Sequence, residues 1–207
     1  FHNDLISANC IFRLVRTYKQ GIDEMDMVIV KILYDLFENK NLYELLFENN
    51  VLLILSNYLT NFEVEKNEKY EEVIRNVFEI FKLINKNTDD ESAKSYHNIS
   101  NPLLDDEALQ ILIFKKAYSL AAFSKSEASI LSCLSVLQIM LNKCSSSLLN
   151  TNDSVKSIIE LVPPFFKNKN LEIIKYSLSI FEIIIDKKST YFQETYAQLK
   201  QIHLPYV

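Results

Sequence analysis

Residues 172–187, EIIKYSLSIFEIIIDK, repeat at the three- and four-residue spacing of one helix face, with Ser177, Ile180, Phe181 and Ile184 in step. Strict alternation, the mark of a half-buried strand, is absent, so an amphipathic helix is expected here. Three other stretches overlay this one without gaps, within a residue or two at their ends. They are MDMVIVKILYDLFENK (25–40), EEVIRNVFEIFKLINK (71–86) and ASILSCLSVLQIMLNK (128–143). The overlay is anchored on the pairs Ile32–Leu33, Ile80–Phe81, Val136–Leu137 and Ile180–Phe181. Four residues after the first member of each pair stand Leu36, Ile84, Met140 and Ile184; three before it stand Ile29, Val77, Cys133 and Ser177. The anchors Ile32, Ile80, Val136 and Ile180 are separated by 48, 56 and 44 residues. A period in the forties, with one enlarged unit, is that of a two- or three-helix repeat.

Working outward, apolar residues recur at three- and four-residue spacing along nearly the whole chain. Polar stretches interrupt them at Lys19–Asp23, Asn39–Asn41, Asn61–Lys66, Asn87–Asn101, Ser145–Asp153 and Lys167–Asn170. The longest, NTDDESAKSYHNISN, makes 88–101 a loop, and no break has the character of an interdomain linker. The fold class expected is therefore all-α, with residues 1–207 forming a single repeat domain. Long helices are expected near Asp23–Glu38, Lys66–Lys86, Glu127–Lys143 and Leu171–Lys187. One glycine, Gly21, in 207 residues agrees with this, because sheets and phosphate-binding loops consume glycine at turns. A chain of this length that is 48% hydrophobic can bury a sizeable core.

A second motif lies between the long helices. Leu5–Val15 (LISANCIFRLV) matches Leu46–Ser56 (LFENNVLLILS), then Ile158–Phe166 (IIELVPPFF), then Gln201–Val207 (QIHLPYV). Taken with the period, these stretches resemble the armadillo repeat, in which a short first helix, a glycine, an Ala-Ile-Pro-Pro-Leu-Val turn and a second helix precede a long third one. Leu161-Val162-Pro163-Pro164-Phe165-Phe166 carries the closest match, and Pro205-Tyr206-Val207 keeps one proline. Asn9, Asn50, Glu160 and Gln201 stand where the family has its glycine. Asparagine enters the left-handed conformation most readily after glycine, which suits Asn9 and Asn50. The resemblance implies a right-handed α-solenoid of armadillo-like helical repeats, with HEAT repeats as the alternative. In this register the chain starts and stops mid-repeat, as a fragment of a longer protein, and leaves Ile202, Leu204, Tyr206 and Val207 at a cut end.

The same resemblance implies where a ligand would lie. The family's third helices line a concave groove with a Trp just before the anchor pair and an Asn three residues after its first member. Here the Trp positions hold Lys31, Glu79, Ser135 and Ser179, and the Asn positions hold Asp35, Leu83, Ile139 and Ile183. These eight residues are the candidate partner-binding set. The chain has no Trp, so the peptide-clamping ladder of nuclear carriers is missing. Alternatively, Leu83, Ile139 and Ile183 are plain core.

Catalysis finds little to work with. His2, His97 and His203 are far apart in sequence and at no metal-ligand spacing, and Cys10, Cys133 and Cys144 are likewise scattered. Three unspaced thiols fit a reducing compartment, the cytoplasm or nucleus, as small apolar fillers. Asp105–Asp106 suits a helix cap before Glu107, and Cys144-Ser145-Ser146-Ser147 reads as a polar helix terminator with no base beside it. No metal and no cofactor is expected. A net charge of -5 with both signs scattered lacks the dense basic face that nucleic acid requires. No stretch is long and apolar enough to span a membrane. The partner expected is another protein, with a second copy of the chain, or the repeats missing from it, as the alternative. The repeat register makes one prediction directly. Phe81→Ala and Phe181→Ala, at equivalent anchor positions, should each lower stability by about 3–5 kcal/mol in urea unfolding. Losses under about 1 kcal/mol at both would break the register.

Overall fold

The computed structural model describes residues 24–61, 68–88, 106–143 and 152–187. Among these residues there are eight α-helices and two short 3-10 turns, with no strand. The chain divides into two compact units, Phe1–Asp105 and Asp106–Val207, where the sequence reading treats it as one domain.

The described part of the first unit begins with α1 (Glu24–Phe37). Its stripe Ile29, Val30, Leu33, Leu36 and Phe37 is buried, the pattern of an amphipathic helix on a core. Asn39 ends it: this residue is extended, and its side chain accepts a hydrogen bond from the Asn41 amide at 3.1 Å, which opens the 3-10 turn Lys40–Leu42. Buried Tyr43 then donates its hydroxyl to the Phe37 carbonyl at 2.9 Å, satisfying one of the acceptors that a helix C-terminus leaves open. Its ring meets Phe37 edge-on at 5.4 Å, and Phe47 joins both.

Helix α2 (Tyr43–Glu48) stops at Asn49 and Asn50. Asn49 donates its amide to the Leu45 carbonyl at 2.8 Å, and Asn50 takes φ 57°. Among the described non-glycine residues Asn50 alone has positive φ. It is the expected substitute for a helix-ending glycine, and asparagine tolerates this conformation at low cost. Helix α3 (Val51–Asn61) follows at once and buries Val51, Ile54, Leu55, Tyr58 and Leu59. The Tyr58 hydroxyl donates to the Asp26 carboxylate at 2.7 Å, with both residues buried, and so ties α3 to the start of α1. Helix α4 (Glu68–Thr88) packs against α1 and α3. It buries Val73, Ile74, Val77, Phe78, Ile80, Phe81 and Ile84. It runs two residues beyond the expected end at Lys86, so Thr88 is helical and not the first residue of the loop; 89–101 lies outside the described residues.

In the second unit, Asp106 caps α5 (Glu107–Phe123) as expected, accepting from the Leu109 amide at 2.9 Å. A break at Ser124–Ser126, too short to register as a polar stretch, separates α5 from α6 (Glu127–Lys143). The Ser126 amide donates to Ser124 Oγ at 3.0 Å, and Ser126 Oγ accepts from the Ser129 amide at 3.4 Å. Helix α6 is covered on most sides because α5 and α8 both pack on it. Its buried small residues, Ser129, Ser132, Cys133 and Ser135, leave room for both neighbours, and Ser135 donates to the Ser132 carbonyl at 2.8 Å.

Helix α7 (Asn152–Leu161) leads through Val162 into the 3-10 turn Pro163–Lys167. The two prolines open this turn, where missing N–H groups cost nothing. Phe166 packs on Phe181 of α8 (Leu171–Lys187) at 5.3 Å. Asn170 caps α8 through the Glu172 amide at 3.0 Å.

Helices α6 and α8 run in the same direction. Asn170, at the head of α8, donates to Glu127 at the head of α6 (3.3 Å), and Gln138 in α6 donates to Ser179 in α8 (2.6 Å). Travel from the first contact to the second is 11 residues in one helix and 9 in the other, nearly equal rises of about 14–17 Å at 1.5 Å per residue.

All four expected long helices are present within two residues of their expected ends. Seven of the eight anchor residues are buried, the exception being half-buried Ile32. The register's flanking positions, from Ile29 and Leu36 through Ser177 and Ile184, are all buried. Residues 1–23 and 188–207, with Asn9, Cys10, His2 and His203, lie outside the described residues, as do His97 and Cys144. Asn50 provides a local test. Asn50→Val should lower stability by about 1–2 kcal/mol, since a β-branched side chain resists positive φ. Asn50→Gly should stay within about 0.5 kcal/mol of the parent in the same urea titration.

Candidate functional site

Three of the eight candidate residues meet in one place. Lys31 and Asp35, one turn apart on α1, and Glu79 on α4 line an open groove of about 560 Å³ along the α1–α4 seam. Met27, Val28 and Tyr34 on α1 and Glu72 and Asn76 on α4 complete it. The α4 members, 72, 76 and 79, follow the three- and four-residue spacing that puts side chains on one helix face. Leu83 is the next position on that face and is half-buried.

This groove combines apolar surface with charge. Val28 is 51% exposed, a large value for a valine on a core-forming helix, while Met27 and Tyr34 are half-buried. Lys31 and Asp35 are exposed. On the α4 wall, Lys82 donates to both oxygens of Glu79 at 2.8 and 3.0 Å, and Arg75 reaches Glu72 at 3.4 Å. Partly exposed pairs of this kind contribute little to stability but fix where the carboxylates stand. Burial holds the Tyr34 hydroxyl protonated above its ordinary pKa of 10.0, and the carboxylates of Glu38, Glu79 and Asp35 add to that effect. A negative field at the ring edge opposes a phenolate, which is why all three act in the same direction.

The other candidates lie in the second unit and behave differently. Ser135 and Ile183 are buried, at 2% and 8% exposure, and present almost no side chain to a ligand. This matches the alternative reading of Ile183 as core; Ser135 is used up inside α6. Ser179 and Ile139 are half-buried, and Ser179 accepts the Gln138 amide. Of Leu83, Ile139 and Ile183, Ile183 is closed into the core and the other two are half-buried. Sequence comparison of the repeats did not bring out Met27, Val28, Tyr34, Glu72 and Asn76. The signal on α1 is the spacing 27–28–31–34–35, which continues the face of Lys31 and Asp35 by one turn toward the helix start.

Among the described residues no three His, Cys, Asp or Glu side chains gather as a metal site, and Cys133 is buried in α6. No helix among them is long and apolar enough to cross a membrane. Comparison with protein-family models, with curated proteins and with solved structures finds no match to this chain.

The surroundings of Tyr34 predict an alkaline signature. A phenol whose folded pKa lies above its unfolded value contributes stability that is complete below the unfolded value and lost as pH rises through the folded one. Tyr34→Phe should therefore lose less stability than the parent as pH rises above 10.0. In an NMR titration of ring resonances, Glu79→Gln should move the Tyr34 midpoint down. A midpoint unmoved by Glu79→Gln would remove Glu79 from the groove's field.

Proposed function

We propose that this chain is a non-catalytic interaction scaffold, an armadillo-like helical solenoid that docks a partner protein, and that the α1–α4 groove is part of its docking face. The observation that carries this reading is the groove itself. It is open and partly apolar, and it is lined by three residues, Lys31, Asp35 and Glu79, at the positions where the resembled family meets its ligands. Its exposed valine and half-buried tyrosine offer the apolar centre with polar surroundings that protein interfaces use.

Several features support the armadillo-like part of the reading. Parallel packing of α6 and α8, two long helices separated by α7 and a proline turn, is the relation that successive repeats require. Positive φ at Asn50 and the Pro163–Pro164 turn stand where the repeat pattern asks for them. The buried anchor pairs occupy equivalent places in all four long helices, Ile32 apart. An enzyme reading draws on nothing comparable, since the sequence offers no nucleophile, base and oxyanion donor within reach of one another.

Affinity capture with the 207-residue chain tests the proposal, using Val28→Asp in the groove and Leu178→Asp on α8 as a control at an exposed leucine. A bound protein should be retained by the control and lost by Val28→Asp, with both variants melting cooperatively. Capture indifferent to Val28→Asp would remove the groove from the docking face. A concentration-dependent dimer in sedimentation, with no other protein bound, would replace the scaffold by a self-packing solenoid.

A further inference from the structure

The groove's chemistry also bears on what it holds. Of the four ionised side chains that line it, three are carboxylates, Asp35, Glu72 and Glu79, and they stand on both walls around Met27, Val28 and Tyr34. Lys82 and Arg75 lie one turn along α4 from Glu79 and Glu72 and offset part of that charge. Neither Lys82 nor Arg75 lines the groove itself, so its lining presents three carboxylates to one ammonium. After burial, the charges that shift the Tyr34 hydroxyl are Glu38, Glu79 and Asp35, all negative and all acting together. Carboxylates of both helices thus act on the one tyrosine that lines the groove.

Resting on the docking role proposed above, we infer that the α1–α4 groove takes a lysine- or arginine-bearing segment of a partner protein, with an apolar side chain of that segment seated on Val28 and Met27. A cationic head with an aliphatic stem meets both halves of the site. The stem covers apolar surface, and the head lies over the Tyr34 ring between carboxylates, where ring quadrupole and ion pairing favour a cation. An acidic segment would meet like charge on both walls, the arrangement that excludes wrong partners. Lys31 is then the one lining residue working against the ligand, set where it would tune affinity downward.

Two dye-labelled amphipathic helical peptides with the same leucines test this, one carrying lysine at every polar position and the other glutamate, by fluorescence polarisation against the whole chain. The lysine peptide should bind and the glutamate peptide should not. Lys31→Glu should tighten the lysine peptide about fivefold and Asp35→Lys should weaken it as much, effects of the size that single interfacial charges have. Lys175→Glu, at an exposed lysine of α8, changes net charge equally outside the groove and should leave affinity within about twofold of the parent. Equal tightening by Lys175→Glu would show attraction to the chain's overall charge of -5 and overturn the inference. Preference for the glutamate peptide, lost with Val28→Asp, would overturn it while leaving the docking groove in place. Binding of neither peptide overturns it as well, and the docking role falls only if captured partners also ignore Val28→Asp.

Discussion

In each unit the burial of one long helix against another is the contact on which the rest depends. Helix α4 lies on α1 and α3, and α8 lies on α6 and on the Pro163–Lys167 turn. An amphipathic stripe has no stable existence alone, because helices of this length gain most of their stability from tertiary packing and little from propensity. Fully buried Ile80, Phe81, Leu137 and Ile180 are therefore worth more than their own transfer free energies, since each holds a helix in place for the next. Serines in α6 belong to the same account. Small side chains at 129, 132 and 135 let α5 and α8 both approach, and Ser135 returns its hydroxyl to its own helix at Ser132.

With glycine nearly absent, the helix ends are managed by side chains. Asn39, Asp106, Ser126 and Asn170 accept backbone amides at the starts of turns or helices, while Asn49 and Tyr43 donate to the carbonyls that helices leave open. Each such bond confines a connection to a few residues and fixes the angle at which the next helix leaves. Positive φ at Asn50 serves the same end, turning the chain from α2 into α3 with two intervening residues, Asn49 and Asn50. In the first unit the Tyr58–Asp26 bond ties α3 to α1, and α4 packs on both to make the α1–α4 seam. Its outer face is thereby left to other duties.

That outer face differs from the core below it in chemistry and in constraint. Two helices packed along a buried seam leave a furrow between their outward side chains, and what lines the furrow is free of the demands of packing. Here it carries an exposed valine, a tyrosine, and three carboxylates to one lysine. Burial raises the Tyr34 hydroxyl pKa, and carboxylates from both helices add to the effect. The second unit has no equivalent among its candidate residues: Ser135 and Ile183 are closed in, and the Ser179 hydroxyl is engaged by Gln138.

Periodicity and breaks lay within reach of the sequence. The extents of α1, α4, α6 and α8, the buried anchors, the Asp106 cap, the proline turn and the left-handed Asn50 are local properties, set by spacing along one helix or by the conformational range of one residue. The Ser124–Ser126 break escaped notice because three residues with hydroxyl caps suffice to turn the chain, too few to form a polar stretch. Which residues face outward was not legible from the repeats. Lys31 and Ser135 occupy equivalent positions, yet one is exposed and the other buried, because α6 is covered by both α5 and α8. Similarly, Tyr34 and Glu79 are 45 residues apart. Only the packing of α4 on α1 makes them neighbours, since the energy of bringing two helix faces together belongs to the assembled fold and to no single stretch of chain.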